Sequence, residues 1–285
     1  MAAASQIMKS KRNKINGASV ALITGASGGI GSACVRQFLA AGWQVSATAL
    51  PGLSLERLGG PDVLVVPGDI TSDQVRRDIV ERTLFRYGRI DALVNNAGVG
   101  LYGPPSGVEL DLMSRLLEVN VFAALGMAQA VIPTMRSAGS GSIVNVGSVA
   151  AFSSLPWAAA YCASKSALHS LNDSLRRELR TDGIHVMKIC PGIVDTDFRL
   201  NVLGGVAPAR VARIRRVVTP EAVAAVILNG ITNRRQTVYV PEIGRLFRLV
   251  EFVSPRLMDC YMGRLATSAD STLESEWLKK AEQEQ

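Results

Sequence analysis

Histidine is scarce in this chain, and cysteine occurs without a metal-binding spacing. Only two histidines, His169 and His185, occur in 285 residues, and they lie in segments typical of a helix and a strand. This scarcity excludes most histidine-based catalysis and histidine-rich metal centres. The four cysteines show no C-x-x-C spacing, so we expect reduced, buried thiols and predict no metal site.

Aromatic residues and long apolar runs are also few. Aromatics make up 5% of the chain and do not interleave with the basic residues that give a net charge of +7, so we expect no nucleic-acid partner. No apolar run reaches the ~18 residues of a membrane-spanning helix, and we predict no span. The hydrophobic content of 48% and the charged content of 19% are typical of one large globular domain.

The N-terminal segment 1–16 lacks both an apolar h-region and acidic residues, although it carries several lysines and an arginine. The missing h-region excludes a secretory signal. We predict a disordered basic lead-in on a cytoplasmic protein, and an organellar transit peptide is the alternative.

The chain does contain a regular alternation of short apolar runs with helical stretches. The predicted strands are residues 19–24, 44–49, 62–66, 91–95, 141–146, 184–190 and 237–240. Near-continuous apolar strands separated by crossover-length segments indicate a parallel sheet covered on both faces. We therefore predict an α/β fold with a doubly wound, mostly parallel, Rossmann-like sheet in a single domain, 17–242, followed by a C-terminal extension with a helical tail, 243–285.

A glycine-rich turn joins the first predicted strand to a helix in ALITGASGGIG. Gly25, Gly29 and Gly31 form the pattern T-G-x-x-x-G-x-G. Glycines here let the chain turn sharply and let backbone N–H groups approach a pyrophosphate at the helix N-terminus. Its position after the first strand of a βαβ pattern predicts a dinucleotide site.

The end of the second predicted strand bears on the choice between NAD and NADP. The sequence there is SATALPG, with Ala49 and Leu50 where a carboxylate would bind the adenine ribose of NAD. Because no acid is present to repel a 2′-phosphate, we predict NADP(H) in preference to NAD(H).

Tyr161 and Lys165 are four residues apart in AAAYCASKSAL, so they share one face of a predicted helix. A phenol and a lysine ammonium both titrate near pH 10, and neither does proton chemistry readily at neutral pH. The spacing alone is a hypothesis that the rest of the chain must decide.

Seven motifs occur in an order that resembles the short-chain dehydrogenase/reductase family in its compact single-domain form. They are TGASGGIG (24–31), GDIT (68–71), NNAG (95–98), LEVNVF (117–122), VGSVA (146–150), YCASK (161–165) and PGIVDT (191–196). The resemblance covers about residues 17–242. It implies an enzyme that transfers hydride between a nicotinamide cofactor and a hydroxyl or carbonyl group.

The resemblance implies four catalytic residues. Tyr161 is the general acid/base, and the charge of Lys165 is expected to lower its pKa towards the working pH. Ser148 is expected to hydrogen-bond the substrate oxygen. Asn120 is expected to hold a water that relays protons from Lys165.

The same resemblance implies the cofactor contacts. The expected contacts are Gly25, Ser27, Gly29, Ile30, Gly31, Asp69, Asn95, Ala97, Gly98, Tyr161, Lys165, Pro191, Gly192, Val194 and Thr196. Two of them have structural alternatives, because Asp69 could only cap a turn and Asn95, with its neighbour Asn96, could mainly stabilise the sheet.

The segment 197–218 lies where this family places a mobile substrate lid, and it is rich in apolar residues. Together with Phe152, Leu155 and Trp157 it predicts a greasy pocket for a lipophilic alcohol or ketone, such as a steroid or retinoid. Reduction of a 3-oxoacyl thioester is the alternative, with the arginines of PARVARIRR meeting an acidic carrier. A regulator that senses NAD(P) without chemistry is the alternative from another class.

The segment 242–265 carries apolar residues at helical spacing with arginines among them. Such a stripe could contact an anionic membrane surface peripherally, or it could cover the substrate pocket or a partner subunit. The family resemblance also implies a homodimer or homotetramer assembled through helices within 106–136 and 158–180.

Overall fold

The computed structural model describes residues 17–53, 60–205 and 217–266. Its strands are β1 (Val20–Thr24), β2 (Gln44–Thr48), β3 (Val63–Val65), β4 (Ala92–Asn95), β5 (Gly141–Val146), β6 (Ile184–Pro191) and β7 (Thr237–Val240). They form one sheet in the order β3-β2-β1-β4-β5-β6-β7, and every pairing between them is parallel. The predicted doubly wound fold is confirmed, with each strand within one residue of its predicted bounds.

The helices of the described residues flank the sheet and extend beyond it. They are α1 (Gly29–Ala40), α2 (Asp73–Tyr87), α3 (Leu110–Leu117), α4 (Ala123–Ala138), α5 (Ala159–Glu178), α6 (Pro220–Thr232), α7 (Gly244–Val253) and α8 (Pro255–Ala266). Two short 3₁₀ turns, Val149–Ala151 and Asp197–Leu200, follow β5 and β6.

Helices cover both faces of the sheet, as the near-continuous apolar strands require. On one face Ile23 belongs to a buried cluster with Phe38 of α1 and Ile227 of α6. On the other face Leu22 belongs to a cluster with Met127 of α4. Because neighbouring residues of β1 are buried on opposite sides, the sheet forms the middle layer of three.

The order of the strands fixes where a ligand binds. β1 lies between β2 and β4, so the crossover direction reverses there. Open α/β sheets bind ligands outside the carboxyl ends of their strands at this switch point. The loops after β1, β4, β5 and β6 carry most of the family motifs, and they meet at that edge.

Helices α3 and α4 continue into each other through a π-helical turn, Glu118–Phe122. By length and composition the continuous helix Leu110–Ala138 could cross a membrane, contrary to the prediction from the lack of long unbroken apolar runs. More than half of its most apolar stretch is buried inside the domain, as in a core helix.

The C-terminal helical tail predicted from the sequence is present as α7 and α8, which pack against each other beside β7. The basic lead-in 1–16 and the polar end 267–285 lie outside the described residues. The domain bounds drawn from the sequence therefore stay predictions.

Candidate active site

Tyr161 and Lys165 lie one turn apart on α5, on the side that faces the sheet. Lys165 is buried, and its Nζ donates a hydrogen bond of 3.0 Å to the carbonyl oxygen of Val146 at the end of β5. The same ammonium group lies 5.8 Å from the centroid of the Tyr161 ring. The strand therefore fixes Lys165, and Lys165 lies beside the phenol.

Burial controls the titration of both side chains. It lowers the pKa of Lys165 to about 8 and raises the pKa of Tyr161 above its ordinary value of 10.0, with nearby Tyr102 acting in the same direction and a hydrogen bond with Ser148 opposing it. In the protein without cofactor the pKa of Tyr161 is therefore not lowered, contrary to what was expected from Lys165. Desolvation outweighs the hydrogen bond with Ser148, and the phenol keeps its proton at neutral pH.

Ser148 begins the 3₁₀ turn Val149–Ala151 directly after β5. Its backbone is extended, and its Oγ accepts a hydrogen bond of 3.1 Å from the N–H of Ala150. The side chain also shares the hydrogen bond with Tyr161. The turn thus holds the hydroxyl next to the phenol, where both can reach one substrate oxygen.

Gly147 leaves room for a histidine beneath Ser148. A Cβ atom built on Gly147 would lie 1.9 Å from Nε2 of His169, so only glycine fits. His169 lies one turn after Lys165 on α5, and burial together with the charges of Lys188 and Lys165 lowers its pKa to about 3. His169 is therefore a neutral packing residue, in the structural role indicated by the sequence.

Asn120 lies in the π-helical turn between α3 and α4, a feature that often marks functional sites. Its side chain accepts from the N–H of Val99 at 2.9 Å and donates to the carbonyl of Val99 and to Ser164 Oγ, both at 3.0 Å. Both N–H groups of the amide are therefore bound by protein, and its oxygen accepts one hydrogen bond. Gly98 lies between Asn120 and Lys165, because a Cβ there would be 3.1 Å from Oδ1 and 3.5 Å from Nζ.

The loop after β1 forms a tight backbone cradle. Gly25 has a φ of +64°, and a Cβ there would lie 2.8 Å from Cα of Ala97. A Cβ on Gly31 would lie 2.0 Å from the carbonyl oxygen of Gly25. The N-cap of α1 is Gly28, which has no side chain to cap the helix, so the first N–H groups of α1 are available to a ligand. The cradle fits the pyrophosphate of a dinucleotide.

Three further predicted contacts surround this cradle. Ser27 is half-buried in the loop, and Ile30 packs against the core beneath it. The N–H of Ala97 donates to Thr24 Oγ1 at 3.1 Å, which ties the loop after β4 to the end of β1.

Asp69 and Asn95 both make structural contacts: Asp69 stabilises a turn, and Asn95 stabilises the sheet. Asp69 accepts from both the N–H and the hydroxyl of Thr71 and pairs with Arg115 at 3.1 Å. Burial alone would raise the pKa of Asp69, but these partners outweigh it and lower the pKa. Asn95 is buried and donates to Ala124 O and Asn145 Oδ1. Its side chain therefore joins β4 to β5 and α4.

The loop after β6 approaches the same cradle. Pro191 ends the strand, and the N–H of Gly192 donates to Val240 O at 2.7 Å. Val194 bridges to Val218, and Thr196 caps the following turn by accepting from Phe198 N. Thr196 reaches the phosphate loop, because a Cβ on Gly29 would lie 2.9 Å from its Cγ2. A cleft of about 390 Å³ opens between Gly29 and Thr196.

Aromatic rings surround the Tyr161 phenol. The ring of Tyr102 lies 6.5 Å from that of Tyr161, and Phe198 of the predicted lid lies 5.8 Å away. Leu155 packs in the same cluster, as predicted for the pocket. The first part of the lid is held in place, since Asn201 Nδ2 donates to Gly98 O at 2.9 Å. The arginines of PARVARIRR lie outside the described residues.

Phe152 differs from its expected place in the pocket wall. Its ring packs on His169 at 4.8 Å and on Tyr239 at 5.7 Å, and the Arg248 guanidinium lies 4.8 Å from its centroid. These partners belong to α5, β7 and α7. Phe152 therefore fills the space between the sheet and the C-terminal extension.

Sequence reasoning missed Thr24, which holds the phosphate loop in place together with Asn96, a residue named only as an alternative support of the sheet. Thr24 Oγ1 accepts from the N–H groups of Asn96 and Ala97. Asn96 Nδ2 donates to the carbonyls of Thr24 and Gly25 at 3.0 and 3.1 Å. Their positions inside the motifs TGASGGIG and NNAG were the available signal.

The family model described as short chain dehydrogenase matches residues 19–203, which span the phosphate loop, Asn120, Ser148, Tyr161 and Lys165. The chain belongs to the short-chain dehydrogenase family. As a member of this family the protein is a dehydrogenase/reductase, and its Rossmann-like fold binds NAD(P). Among the residues that the structure describes, no group of three or more His, Cys, Asp or Glu side chains could hold a metal ion.

A relative spans nearly the whole length of this short-chain dehydrogenase. The dehydrogenase/reductase SDR family protein 7-like of Anopheles gambiae is 31% identical over 284 residues, which cover 93% of this chain and 89% of that protein. The similarity therefore extends beyond the segment that the family model matches.

Two solved structures share the fold. A short-chain dehydrogenase from Streptomyces avermitilis has a TM-score of 0.76 and 28% identity, covering 90% of this chain and 100% of that one. A 3-ketoacyl-(acyl-carrier-protein) reductase from Brucella melitensis, complexed with NADH, has a TM-score of 0.73 and 26% identity, covering 79% and 97%.

Proposed function

We propose that this enzyme interconverts a secondary alcohol and a ketone, or a primary alcohol and an aldehyde, on a lipophilic substrate such as a steroid or retinoid. The observation that carries the proposal is the half-buried Tyr161, whose phenol is hydrogen-bonded to Ser148 and lies near the rings of Tyr102 and Phe198. Aromatic rings beside the reacting group suit a lipophilic ligand.

The residues of the site divide the chemistry among them. A nicotinamide cofactor, when bound, would supply or accept the hydride. Tyr161 gives its proton to the carbonyl oxygen in reduction and takes it back in oxidation, and its raised pKa keeps that proton available at neutral pH. Ser148 donates a hydrogen bond to the oxygen on which negative charge develops. Lys165 places a cation beside the phenol and favours the phenolate that remains after proton transfer.

The cofactor is held by the cradle at the start of α1 and by the loops after β4 and β6. Within this proposal NADP(H) is preferred over NAD(H). The support is the end of β2, where the buried Ala49 and the exposed Leu50 place no carboxylate near the expected ribose.

Reduction of a 3-oxoacyl thioester is the second candidate function. Its support is the fold shared with the Brucella melitensis 3-ketoacyl-(acyl-carrier-protein) reductase. The two candidates predict different substrates at the same Tyr161, so they are separated by rates rather than by site geometry.

A substrate panel tests both candidates. Steady-state rates are compared for steroid-type and retinoid-type alcohols and ketones and for an acetoacetyl thioester, each with NADPH and NADH. We expect a higher kcat/KM for the lipophilic ketones and for NADPH. A faster thioester reaction would favour the second candidate, and no turnover of any compound would exclude both.

The variant Tyr161→Phe tests the proton-transfer role. We expect turnover to fall by about 10²–10⁴-fold, since a general acid/base contributes that much, while cofactor binding measured by fluorescence stays within about twofold. Tyr102→Phe is the matched control, because it removes a neighbouring hydroxyl and keeps Tyr161. Persisting turnover in Tyr161→Phe would refute the assignment, and loss of cofactor binding would support a structural role.

We further propose a cytoplasmic protein whose segment 242–265 contacts a membrane surface peripherally. The support is the outer face of α7, where Leu246 is 53% and Leu249 is 56% exposed, together with exposed Arg245 and Arg256. An apolar stripe flanked by basic side chains suits an anionic lipid surface.

We also propose a homodimer or homotetramer that assembles through the helices within 106–136 and 158–180. Two apolar side chains of the first helix, Leu110 and Phe122, are 84% and 59% exposed. An interface there would bury them.

A further inference from the structure

Helix α7 contacts the Ser148 segment, which we define as residues 148–153. The helix follows β7 and lies outside residues 19–203, the part that the family model matches. Its contacts with the Ser148 segment therefore add to what the family motifs supply.

One hydrogen bond joins the two elements across 98 residues of sequence. Ser153 Oγ donates to Glu251 Oε2 at 2.8 Å. Ser153 is 6% exposed, and Glu251 is half-buried on the inner face of α7. A short hydrogen bond to a partly buried carboxylate is charge-assisted, so it is stronger than a neutral one.

Two packing contacts accompany this hydrogen bond. Arg248 lies over the ring of Phe152 at 4.8 Å and donates to Tyr239 Oη at 3.1 Å. Gly244 fits closely against Val149, since a Cβ there would lie 2.9 Å from Val149 Cγ1. The contacts fall at the start, middle and last turn of α7, so the whole helix is aligned on the Ser148 segment.

The opposite side of the Ser148 segment is held by α5. Ser166 Oγ donates to Ala151 O at 2.9 Å. The segment thus lies between the helix that carries Tyr161 and a helix of the C-terminal extension. Because Ser148 and Tyr161 must reach the same substrate oxygen, their separation depends on both supports.

We propose that Glu251 is a positioning residue, which acts through Ser153 to hold Ser148 where its hydroxyl meets the substrate oxygen. This inference rests on the proposed function of Ser148. Glu251 touches neither substrate nor cofactor in this assignment, and α7 becomes part of the support of the active site. A misplacement of about 1 Å can cost about 100-fold in rate, so a modest shift of the segment has a measurable effect.

The test compares Glu251→Ala with Glu251→Gln and with Asp259→Ala, which removes an exposed carboxylate from α8 as a charge control. With the substrate found in the panel, we expect kcat to fall about tenfold in Glu251→Ala, with KM for the cofactor within about twofold. Glu251→Gln keeps an acceptor for Ser153 and is expected within about threefold of the unsubstituted enzyme. Asp259→Ala is expected to be unchanged.

The coupling to Ser153 is tested by a double-variant cycle. Ser153→Ala is expected to lower kcat as Glu251→Ala does, and the double variant is expected to be no slower than either single one, because both remove the same hydrogen bond. Fully multiplicative losses would overturn the proposed route through Ser153.

Amide hydrogen exchange of the Ser148 segment gives a readout that does not need turnover. In Glu251→Ala we expect the N–H groups of Ala150, Ala151 and Phe152 to exchange about tenfold faster, while those of β5 stay protected. Unchanged exchange would overturn the inference, and so would faster exchange with an unchanged kcat, which indicates structural support alone. If no substrate in the panel reacts, the proposed function fails and the exchange result still decides whether α7 holds the segment.

Discussion

Lys165 keeps its ammonium group inside the protein at a cost in stability. Lys165 is 4% exposed, and within the described part of the chain its ammonium group donates one hydrogen bond, to Val146 O. Burial lowers the pKa of Lys165 from 10.5 to about 8, and this difference corresponds to about 3 kcal/mol of lost stability at pH 7. A residue retained at such a cost is typical of a functional site, where stability is traded for activity.

The variant Lys165→Met should therefore be more stable and nearly inactive. At pH 7 we expect it to gain about 1–2 kcal/mol, because the burial cost disappears while one hydrogen bond of about 1 kcal/mol is lost. Between pH 8 and 10.5 the unfolded enzyme binds the Lys165 proton and the folded enzyme does not. The stability of the unsubstituted enzyme thus rises with pH in this window, and the gain of the variant vanishes.

Chemical denaturation of both proteins at pH 7 and pH 10 measures this difference. Tyr161, whose pKa is raised, titrates in both proteins, so its contribution largely cancels. A variant that is less stable at pH 7 would show that the ammonium is better satisfied in the fold than its burial indicates.

At the scale of helices, strands and turns, the sequence predicts those features that a short stretch of residues encodes. The strands follow from apolar runs, and Ser148, Tyr161 and Lys165 follow from motif spacing, since each pattern lies within one element or turn. Contacts between distant segments leave no such signal. The partner of Ser153 is Glu251, and Lys188 of β6 pairs with Asp173 of α5 at 2.7 Å. These pairs appear only when the sheet order brings the segments together.

Phe152 is a second residue whose contacts the sequence alone could not predict. Its apolar character predicted a place in the wall of the substrate pocket, but composition alone could not tell that pocket from the space under α7, where the half-buried ring lies. The contacts with His169 and Arg248 settle its place in the packing. The sequence showed that the Phe152 side chain is hydrophobic, but not in which direction its ring points.

The exposed apolar residues of α7 predict that one whole face of this helix binds a membrane. The double variant Leu246→Ser/Leu249→Ser should bind phosphatidylserine-rich vesicles at least about tenfold more weakly than the unsubstituted protein, because two leucines no longer enter the lipid interface. Cosedimentation at low and high salt measures this binding, and salt should weaken it through Arg245 and Arg256.

Phe85→Ser is the matched control for this helix face, since Phe85 on α2 is also an exposed apolar residue and lies far along the chain from α7. Failure of the unsubstituted protein to bind the vesicles would contradict the membrane proposal. Loss of a dimer in the double variant would instead assign the stripe to a partner subunit.

At the scale of the whole molecule, stability in acid depends on two buried histidines. Burial, with the nearby charges of Lys188 and Lys165, lowers the pKa of His169 to about 3, and burial also lowers the pKa of His185. Asp173 opposes these cations at His169, and Arg248 adds to them. The fold therefore keeps His169 neutral over a range in which the unfolded chain binds a proton.

This difference predicts a loss of stability as the pH falls from 6.5 to about 3. At pH 4.5 the histidine of the unfolded chain is protonated and His169 of the folded chain is not, so the expected contribution is about 3 kcal/mol. Urea denaturation at pH 7 and 4.5 measures the loss of unfolding free energy, which should be smaller by about that amount in His169→Gln. The loss in His185→Gln should stay closer to that of the unsubstituted enzyme, because hydrogen bonds with Arg235 O and Ser142 hold His185. Asp173, whose pKa is lowered, destabilises the fold only at still lower pH and does so in all three proteins. An equal acid sensitivity of His169→Gln and the unsubstituted enzyme would place the acid-labile group elsewhere in the chain.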